Sequence, residues 1–223
     1  MITLHLHKSD LVGVPLGHHA ADSIRDAILQ GSLRPDERLV ESAIASQLNL
    51  SRGPVRDALR QLALEGLVVI VPRRGTFVSR LDRADIREIS TLRAVIEGLA
   101  ARFLAVRRDQ AAVDQLEECL NAMAEAGDAD PVRFATFDLK FHETLVRASG
   151  HRRLYHSWAN LRTQIWMFIR ETRLGNLRSA EGTREFHQTI VRAIRAGDAA
   201  EAERAARHHS ESTGPELEDY LTR

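Results

Sequence analysis

The sequence predicts a mainly α-helical protein in two parts: a small N-terminal unit of three helices and a β-hairpin, then a bundle made of helices alone. Three observations carry this. Residues 51–78, SRGPVRDALRQLALEGLVVIVPRRGTFV, switch within a few positions from a helical period to an extended one. Beyond Arg80 the β-branched alternation stops, and apolar residues recur three and four apart to the end of the chain. A length of 223 residues with 43% hydrophobic content is enough for two modest cores.

Taken in order, residues 1–17 read as a loosely ordered arm. A first helix is expected over residues 18–30, with Ile24, Ala27 and Ile28 on its apolar face and Gly31 ending it. Residues 33–36 (LRPD) make a turn, and Leu39-Val40 a short extended piece. A second helix over residues 41–48 turns Ile44, Ala45 and Leu48 inward. Asn49 suits the left-handed conformation that joins two helices sharply. In the third helix Ser51 suits the N-cap, and Pro54 falls in the first turn, where a missing N–H is harmless. Arg52, Arg56 and Arg60 share one arc of that helix; Val55, Ala58, Leu59 and Leu62 share the adjacent arc. Gly66 stops the helix, residues 67–71 run extended, 72–75 turn, and 76–78 return. Residues 51–80 carry six arginines against Asp57 and Glu65. Arginines on an amphipathic helix are commonly only a solvated face. Preceded by a helix and a tight turn and followed by a hairpin with a basic tip, they form a winged helix-turn-helix. Its helix fits the major groove and its hairpin reaches the phosphates.

The string over residues 28–78 closely resembles the DNA-binding domain of GntR-family transcription regulators. The matching features are G-x-L-x-P (Gly31 to Pro35), L-x-E (Leu39 to Glu41), the S-R-x-P-V-R-x-A-L-x-x-L core (Ser51 to Leu62), E-G-L-V (Glu65 to Val68) and the G-x-x-V wing (Gly75 to Val78). One departure is Asp36, where the family usually has Gly after Pro35; it alters a turn and not a contact. The resemblance implies that Ser51, Arg52 and Arg56 contact a double-stranded DNA operator and that Arg73, Arg74 and Gly75 form the wing tip. Arg60 lies farther along, where it reaches phosphate or solvent.

Composition limits the rest. The formal net charge is zero, which argues against a general nucleic-acid coat. The single cysteine, Cys119, excludes an intramolecular disulfide and fits a reducing compartment. No apolar run approaches the roughly 20 residues of a membrane span, and the N-terminus lacks a signal-peptide pattern. The expectation is a cytoplasmic protein with no membrane partner.

Residues 81–223 are expected to form a six-helix bundle after a short linker at 79–83. The expected helices and their inward residues run as follows. Residues 83–106 carry Ile86, Ile89, Leu92, Val95, Ile96, Leu99 and Phe103, and 110–126 carry Val113, Leu116, Leu120 and Met123. Residues 130–148 carry Phe134, Phe137, Phe141 and Leu145, and 154–173 carry Leu161, Ile165, Trp166 and Ile169. Residues 181–196 carry Phe186, Ile190 and Ile194, and 199–220 close the chain.

Four polar residues stand on apolar faces. Asp138 and His142, spaced i, i+4, lie about 40° and 80° from Phe134 on the helical wheel. His187 falls between Ile190 and Val191. In the last helix His209 lies within the arc of Ala202, Ala205 and Ala206, while His208 is rotated about 100° outward. A lone inward histidine is usually a satisfied core residue. One carboxylate and three imidazoles converging from three helices make a divalent metal site, because an inward aspartate needs compensation. Zinc is the first expectation, with nickel and manganese as alternatives.

A GntR domain followed by this bundle resembles the FadR subfamily with an FCD-type effector domain. The metal pattern matches as D-x-x-x-H (Asp138, His142), H-x-x-I (His187) and a histidine 22 positions on (His209). The resemblance implies a sensor in which the metal keeps positions open to a small organic acid. Arg93 sits where the family commonly has an arginine, so it is a candidate to clamp that effector; an ion pair with Glu97 at i+4 is the alternative. Arg162 and Arg170 are weaker candidates, and Trp158 and Trp166 read as core or interface. The expectation is a homodimeric transcription regulator, a repressor released by its effector, and not an enzyme. A metal-dependent enzyme, or a DNA-binding protein with a purely structural metal, are the rival readings.

Overall fold

The computed structural model describes residues 16–221, so most of the expected N-terminal arm lies outside the described residues. The described chain divides into two compact units that meet between Arg80 and Leu81 in the sequence. No helix among the described residues is long and apolar enough to cross a membrane.

The first unit holds α1 (Leu16–Leu29), β1 (Arg38–Leu39), α2 (Glu41–Leu48), α3 (Arg52–Leu64), β2 (Val68–Val71) and β3 (Gly75–Val78). The first helix begins two residues before the expected start. The strands form an antiparallel sheet in the order β1-β3-β2, with Val69 opposite Phe77 and Arg38 opposite the other edge of that residue. Ile24, Ile28, Ile44, Leu48, Val55, Leu59, Leu62 and Leu67 make the core. Arg25 on α1 holds Glu65 after α3 through two bonds of 2.8 and 2.9 Å. Asn49 takes φ 53° and ψ 44°, the left-handed link between α2 and α3. Asp36 has φ 65°, so the departure from glycine falls on a residue type that tolerates this region.

Ser51 occupies the N-cap of α3, but its hydroxyl makes no capping bond. The reason lies three residues on. A capping oxygen accepts from the second or third helical amide, and the third position is Pro54, which has no N–H.

The second unit is all helical: α4 (Arg83–Arg107), α5 (Gln110–Ala126), α6 (Pro131–Ala148), α7 (Arg152–Leu174), α8 (Ala180–Ala196), α9 (Ala199–Ser212) and α10 (Gly214–Tyr220). The expected six helices are seven, because the last one breaks at Thr213. Pro215 enters there and starts α10 in its first turn. Side-chain caps open the long helices: Asp82 with Asp85 in a reciprocal box on α4, Asp109 on α5, Asp130 on α6, Ser179 on α8 and Asp198 on α9. The core gathers Leu116, Met123, Phe134, Phe141, Leu145, Ile190 and Ile194.

One part of α4 departs from the expectation. Leu92 (45% exposed), Val95 (48%) and Phe103 (38%) face outward with Val106 (68%). Ile86, Ile89 and Ile96 are buried as expected, and the rest of the buried face is made largely of small residues, Ala94, Gly98, Ala100, Ala101 and Ala105, together with Arg93 and Glu97. Small side chains let α9 come close: a Cβ added at Gly98 would stand 2.6 Å from Cγ of Arg207. That close approach brings α9 alongside the polar residues of α4.

Candidate functional site

α6 contributes Asp138 and His142, α8 contributes His187, and α9 contributes His209. Each offers one ligand atom, and the four atoms lie within 4.8 Å of one another. All four residues are buried, at 4, 1, 0 and 6% exposure. Oδ1 of Asp138 is 3.1 Å from Nε2 of both His142 and His187. Nε2 of His142 is 3.3 Å from Nε2 of His187 and 3.3 Å from Nε2 of His209. The edge of a tetrahedron around an ion bound at about 2.0–2.1 Å is about 3.3–3.4 Å, so these separations suit a small divalent cation. Phe141 walls the site edge-on to His142 and His187.

The proton arrangement points the same way. Nδ1 of His187 is 2.8 Å from the carbonyl of Thr183. A carbonyl only accepts, so Nδ1 carries a proton and Nε2 is the nitrogen left to face the carboxylate, the tautomer in which a histidine can ligate an ion. Oδ1 of Asp138 is itself buried without a hydrogen-bond partner. A cation held between these groups would compensate the buried carboxylate. Charge states fit as well. Burial works to raise the carboxyl of Asp138, but the two imidazoles beside it, His187 and His142, outweigh that and hold it well below its usual range. Burial pushes His209 well down, helped by His187 and His142, so it stays neutral. An ionised aspartate and a neutral imidazole are the ligating forms; His142 goes the other way, because burial lowers it but Glu97 and Asp138 together raise it, so an ion bound there would displace its second proton.

A second buried group sits behind the cluster. Glu97 on α4 accepts from Nε of Arg93 (3.0 Å), Nε1 of Trp158 on α7 (3.0 Å) and Oγ of Ser210 on α9 (2.9 Å). Nδ1 of His142 approaches its Oε2 at 3.0 Å without hydrogen-bond alignment. Burial works to raise the carboxyl of Glu97, and the charges of Arg93 and His142 hold it well below its usual range. Arg93 is therefore ion-paired with Glu97. Its Nη2 also stands 3.1 Å from Nε2 of His142, beside the donor cluster.

A cavity of about 20 Å³, roughly one water or ion, opens on this cluster. Arg93, Asp138, His142 and His209 line it, and so do Arg173 and Arg178. Arg162 and Arg170 do not. Arg162 pairs with Glu143 at 3.0 Å and Arg170 with its neighbour Glu171 at 2.7 Å. Sequence periodicity missed Arg173 and Arg178 because one ends α7 and the other lies in the connection to α8, where no helical face could be assigned. Trp158 and Trp166 are buried, and His208 is exposed.

In the first unit Ser51, Arg52, Arg56 and Arg60 are all exposed. Arg56 is held by Glu41 at 3.0 Å and Arg60 lies 3.4 Å from Asp57. At the wing tip Arg73 (φ 63°) and Gly75 (φ 114°) shape the turn, and Arg74 lies over the ring of Phe77 at 6.0 Å. Arg38 joins them from β1: a Cβ at Gly75 would meet its Nε at 3.2 Å. Its isolated position in the sequence gave no signal of that.

A winged helix-turn-helix with guanidinium groups along α3 and the wing, attached to a separate helical unit, defines a DNA-binding transcription regulator. Comparison with known proteins gives the family. The pattern of bacterial regulatory proteins, gntR family, matches residues 16–78, and the FCD domain matches residues 88–212. The chain belongs to the gntR family of regulators and carries an FCD domain. The transcriptional repressor GlaR of Escherichia coli K12 is 31% identical over 198 residues, covering 83% of this chain and 88% of GlaR. The gluconate operon transcriptional repressor of Bacillus licheniformis is 30% identical over 193 residues, covering 82% and 76%. A crystal structure of a GntR regulator from Rhodococcus sp. RHA1 superposes with a TM-score of 0.76 at 24% identity, over 90% of this chain and 96% of that one, and shares the fold. These relatives are regulators, and this chain is a regulator and not an enzyme.

The Glu97 network makes a first prediction. Ser210→Ala removes one bond to a buried carboxylate and little volume, so it should lower the stability of the helical unit by about 1.5–3 kcal/mol. Trp158 and Trp166 both lie in α7, so their fluorescence in a urea titration reports that unit alone. An unchanged midpoint would show that Glu97 does not depend on Ser210.

Proposed function

We propose that this regulator is a homodimeric repressor that leaves its operator when a small carboxylate binds beside a divalent metal held by Asp138, His142, His187 and His209. The observation that carries this reading is the convergence of three imidazole nitrogens and one carboxylate oxygen, buried, on a cavity that Arg93 lines. A bound divalent ion would supply positive charge and coordination positions for carboxylate oxygens. Zinc suits nitrogen donors at these separations; nickel and manganese remain alternatives. Arg93 is placed to meet the same carboxylate through its Nη2, at the expense of its bonds to Glu97. The cavity is too small for an organic acid as it stands, so binding must move its walls, which is what a ligand needs in order to favour one arrangement over another. The repressor assignment follows the relatives that bear that name.

Ser51, Arg52 and Arg56 are assigned to operator contact, with Arg73, Arg74 and Gly75 at the wing. The domains we assign are DNA binding over residues 18–80 and metal, effector and dimer contacts over 81–223. The exposed stripe of Leu92, Val95, Phe103 and Val106 is the surface we assign to the dimer. Apolar residues at this spacing on one helix face are otherwise left in water.

Arg52→Ala and Arg56→Ala should each weaken specific operator binding by about 1–3 kcal/mol if the lost contact is to a base edge. Affinity should fall steeply as salt rises. Wild-type affinity in both variants, measured by fluorescence anisotropy, would remove α3 from the interface.

Val95→Glu places a charge in the middle of the apolar stripe and should halve the mass seen by light scattering at micromolar concentration. A wild-type protein that is already monomeric there would contradict the dimer.

Protein purified without chelator should carry about one divalent ion per chain by elemental analysis, and His187→Ala should lose it, while His208→Ala should not. The metal-free protein and the His187→Ala variant should still bind operator but no longer respond to organic acids. A response that survives complete metal removal would make the four residues structural.

A further inference from the structure

Beyond the donor cluster, the cavity has a second cationic end, on α7 and its connection to α8. Arg173 is 5% exposed, and its Nε is buried without a hydrogen-bond partner. Its other nitrogens are engaged. Nη2 donates to Oδ1 of Asp128 at 2.7 Å and Nη1 to the carbonyl of Arg178 at 2.6 Å, while the guanidinium lies 4.2 Å from the ring centre of Phe134. Arg178 donates to Glu216 at 2.9 Å, and its Nη1 reaches Ser212 and Thr213 only at 3.4 Å. Among the residues lining the cavity, Asp138 is the one carboxylate against Arg93, Arg173 and Arg178. The carboxylates that partner Arg173 and Arg178 stand outside that wall. The side chains of Asp128 and Glu216 are 57% and 41% exposed. Both partners are half-exposed and neither lies on the cavity wall, where three arginines face one carboxylate.

We infer that the effector is a dicarboxylate, with one carboxylate at the metal and Arg93 and the other received by Arg173 and Arg178. This rests on the proposed carboxylate effector and adds a second anionic group to it. A buried N–H with no acceptor is a standing penalty that a ligand oxygen can remove. A guanidinium presents paired donors that match a carboxylate. A monocarboxylate held at the metal end leaves the Nε of Arg173 as it is. Arg178 lies in the short connection between α7 and α8 and meets α10 through Glu216, so it stands where the wall can part to admit the longer molecule.

The test is calorimetric titration of zinc-loaded, full-length protein with chain-matched pairs: butyrate and succinate, pentanoate and glutarate, hexanoate and adipate. At least one diacid should bind about tenfold or more tightly than its monoacid, because a site with unpaired donors rejects the analogue lacking the acceptor. In Arg178→Gln that preference should shrink to about threefold or less, with the monoacid affinity unchanged. Elemental analysis should show the ion retained in that variant, since Arg178 touches none of its ligands. Equal affinity within each pair, or a preference untouched by Arg178→Gln, would overturn the second anion site while leaving the carboxylate reading standing. If no acid of either kind binds, the carboxylate reading fails and this inference falls with it.

Discussion

The helical unit depends on one buried carboxylate. Glu97 is nearly inaccessible, yet three donors from three helices point at it: Arg93 within α4, Trp158 on α7 and Ser210 on α9. Burying an ion pair is expensive, and it is tolerated only where further bonds fill the remaining lone pairs. That condition fixes the geometry around it. α9 must come close enough for Ser210 to reach, which the small residues of α4 permit and which Gly98 makes possible against Arg207. Once α9 is that near, His209, one residue before Ser210, is carried into the same polar pocket as Asp138 and His142. The donor cluster thus follows from the packing of α4 on α9.

The cluster itself is electrostatically incomplete. The carbonyl of Thr183 fixes the proton on Nδ1 of His187, and Nε2 faces an aspartate oxygen that accepts from no aligned donor. A buried carboxylate in that position is compensated if a positive charge occupies the gap. Arg93 meets part of that need through His142, but it is already committed to Glu97. An ion would release Arg93 from that second duty, which links the occupancy of the cluster to the state of the Arg93–Glu97 pair.

Much of this was legible in the sequence, for identifiable reasons. The winged helix-turn-helix came from turn chemistry at Gly31, Asn49 and Gly66 and from the abrupt change of period after Leu64. Helical wheels separated His209 from His208, because the Ala-rich arc around His209 could only be a buried one. Three things were hidden. Periodicity places Ile86, Ile89 and Ile96 of α4 correctly inside, but it cannot show that alanine and glycine fill the rest of the buried face while Leu92, Val95 and Phe103 stay outside. Pro215 ended α9 in a stretch with too little apolar signal to mark a break. Arg173 and Arg178 stand where helical faces run out, so only the fold shows that they meet Arg93 around one cavity.

The two faces of α4 bear on how a signal could travel. Its inner face carries Arg93, which lines the cavity, and Glu97 behind it; its outer face carries the apolar stripe, and its first residue is three positions past Arg80, where the DNA-binding unit ends. A ligand can shift a regulator between two arrangements only through interactions that differ between them. Under the proposed function the Arg93–Glu97 pair is such an interaction, because a carboxylate arriving beside His142 would compete for the same guanidinium. Loosening that pair leaves the buried carboxylate short of a donor and weakens the hold of α4 on α7 and α9 together. In the proposed dimer, the helix so loosened is the one that packs on its partner. The cost of moving Arg93 would then be felt at the dimer surface and at the start of the helix that follows the wing, without any contact between effector and DNA.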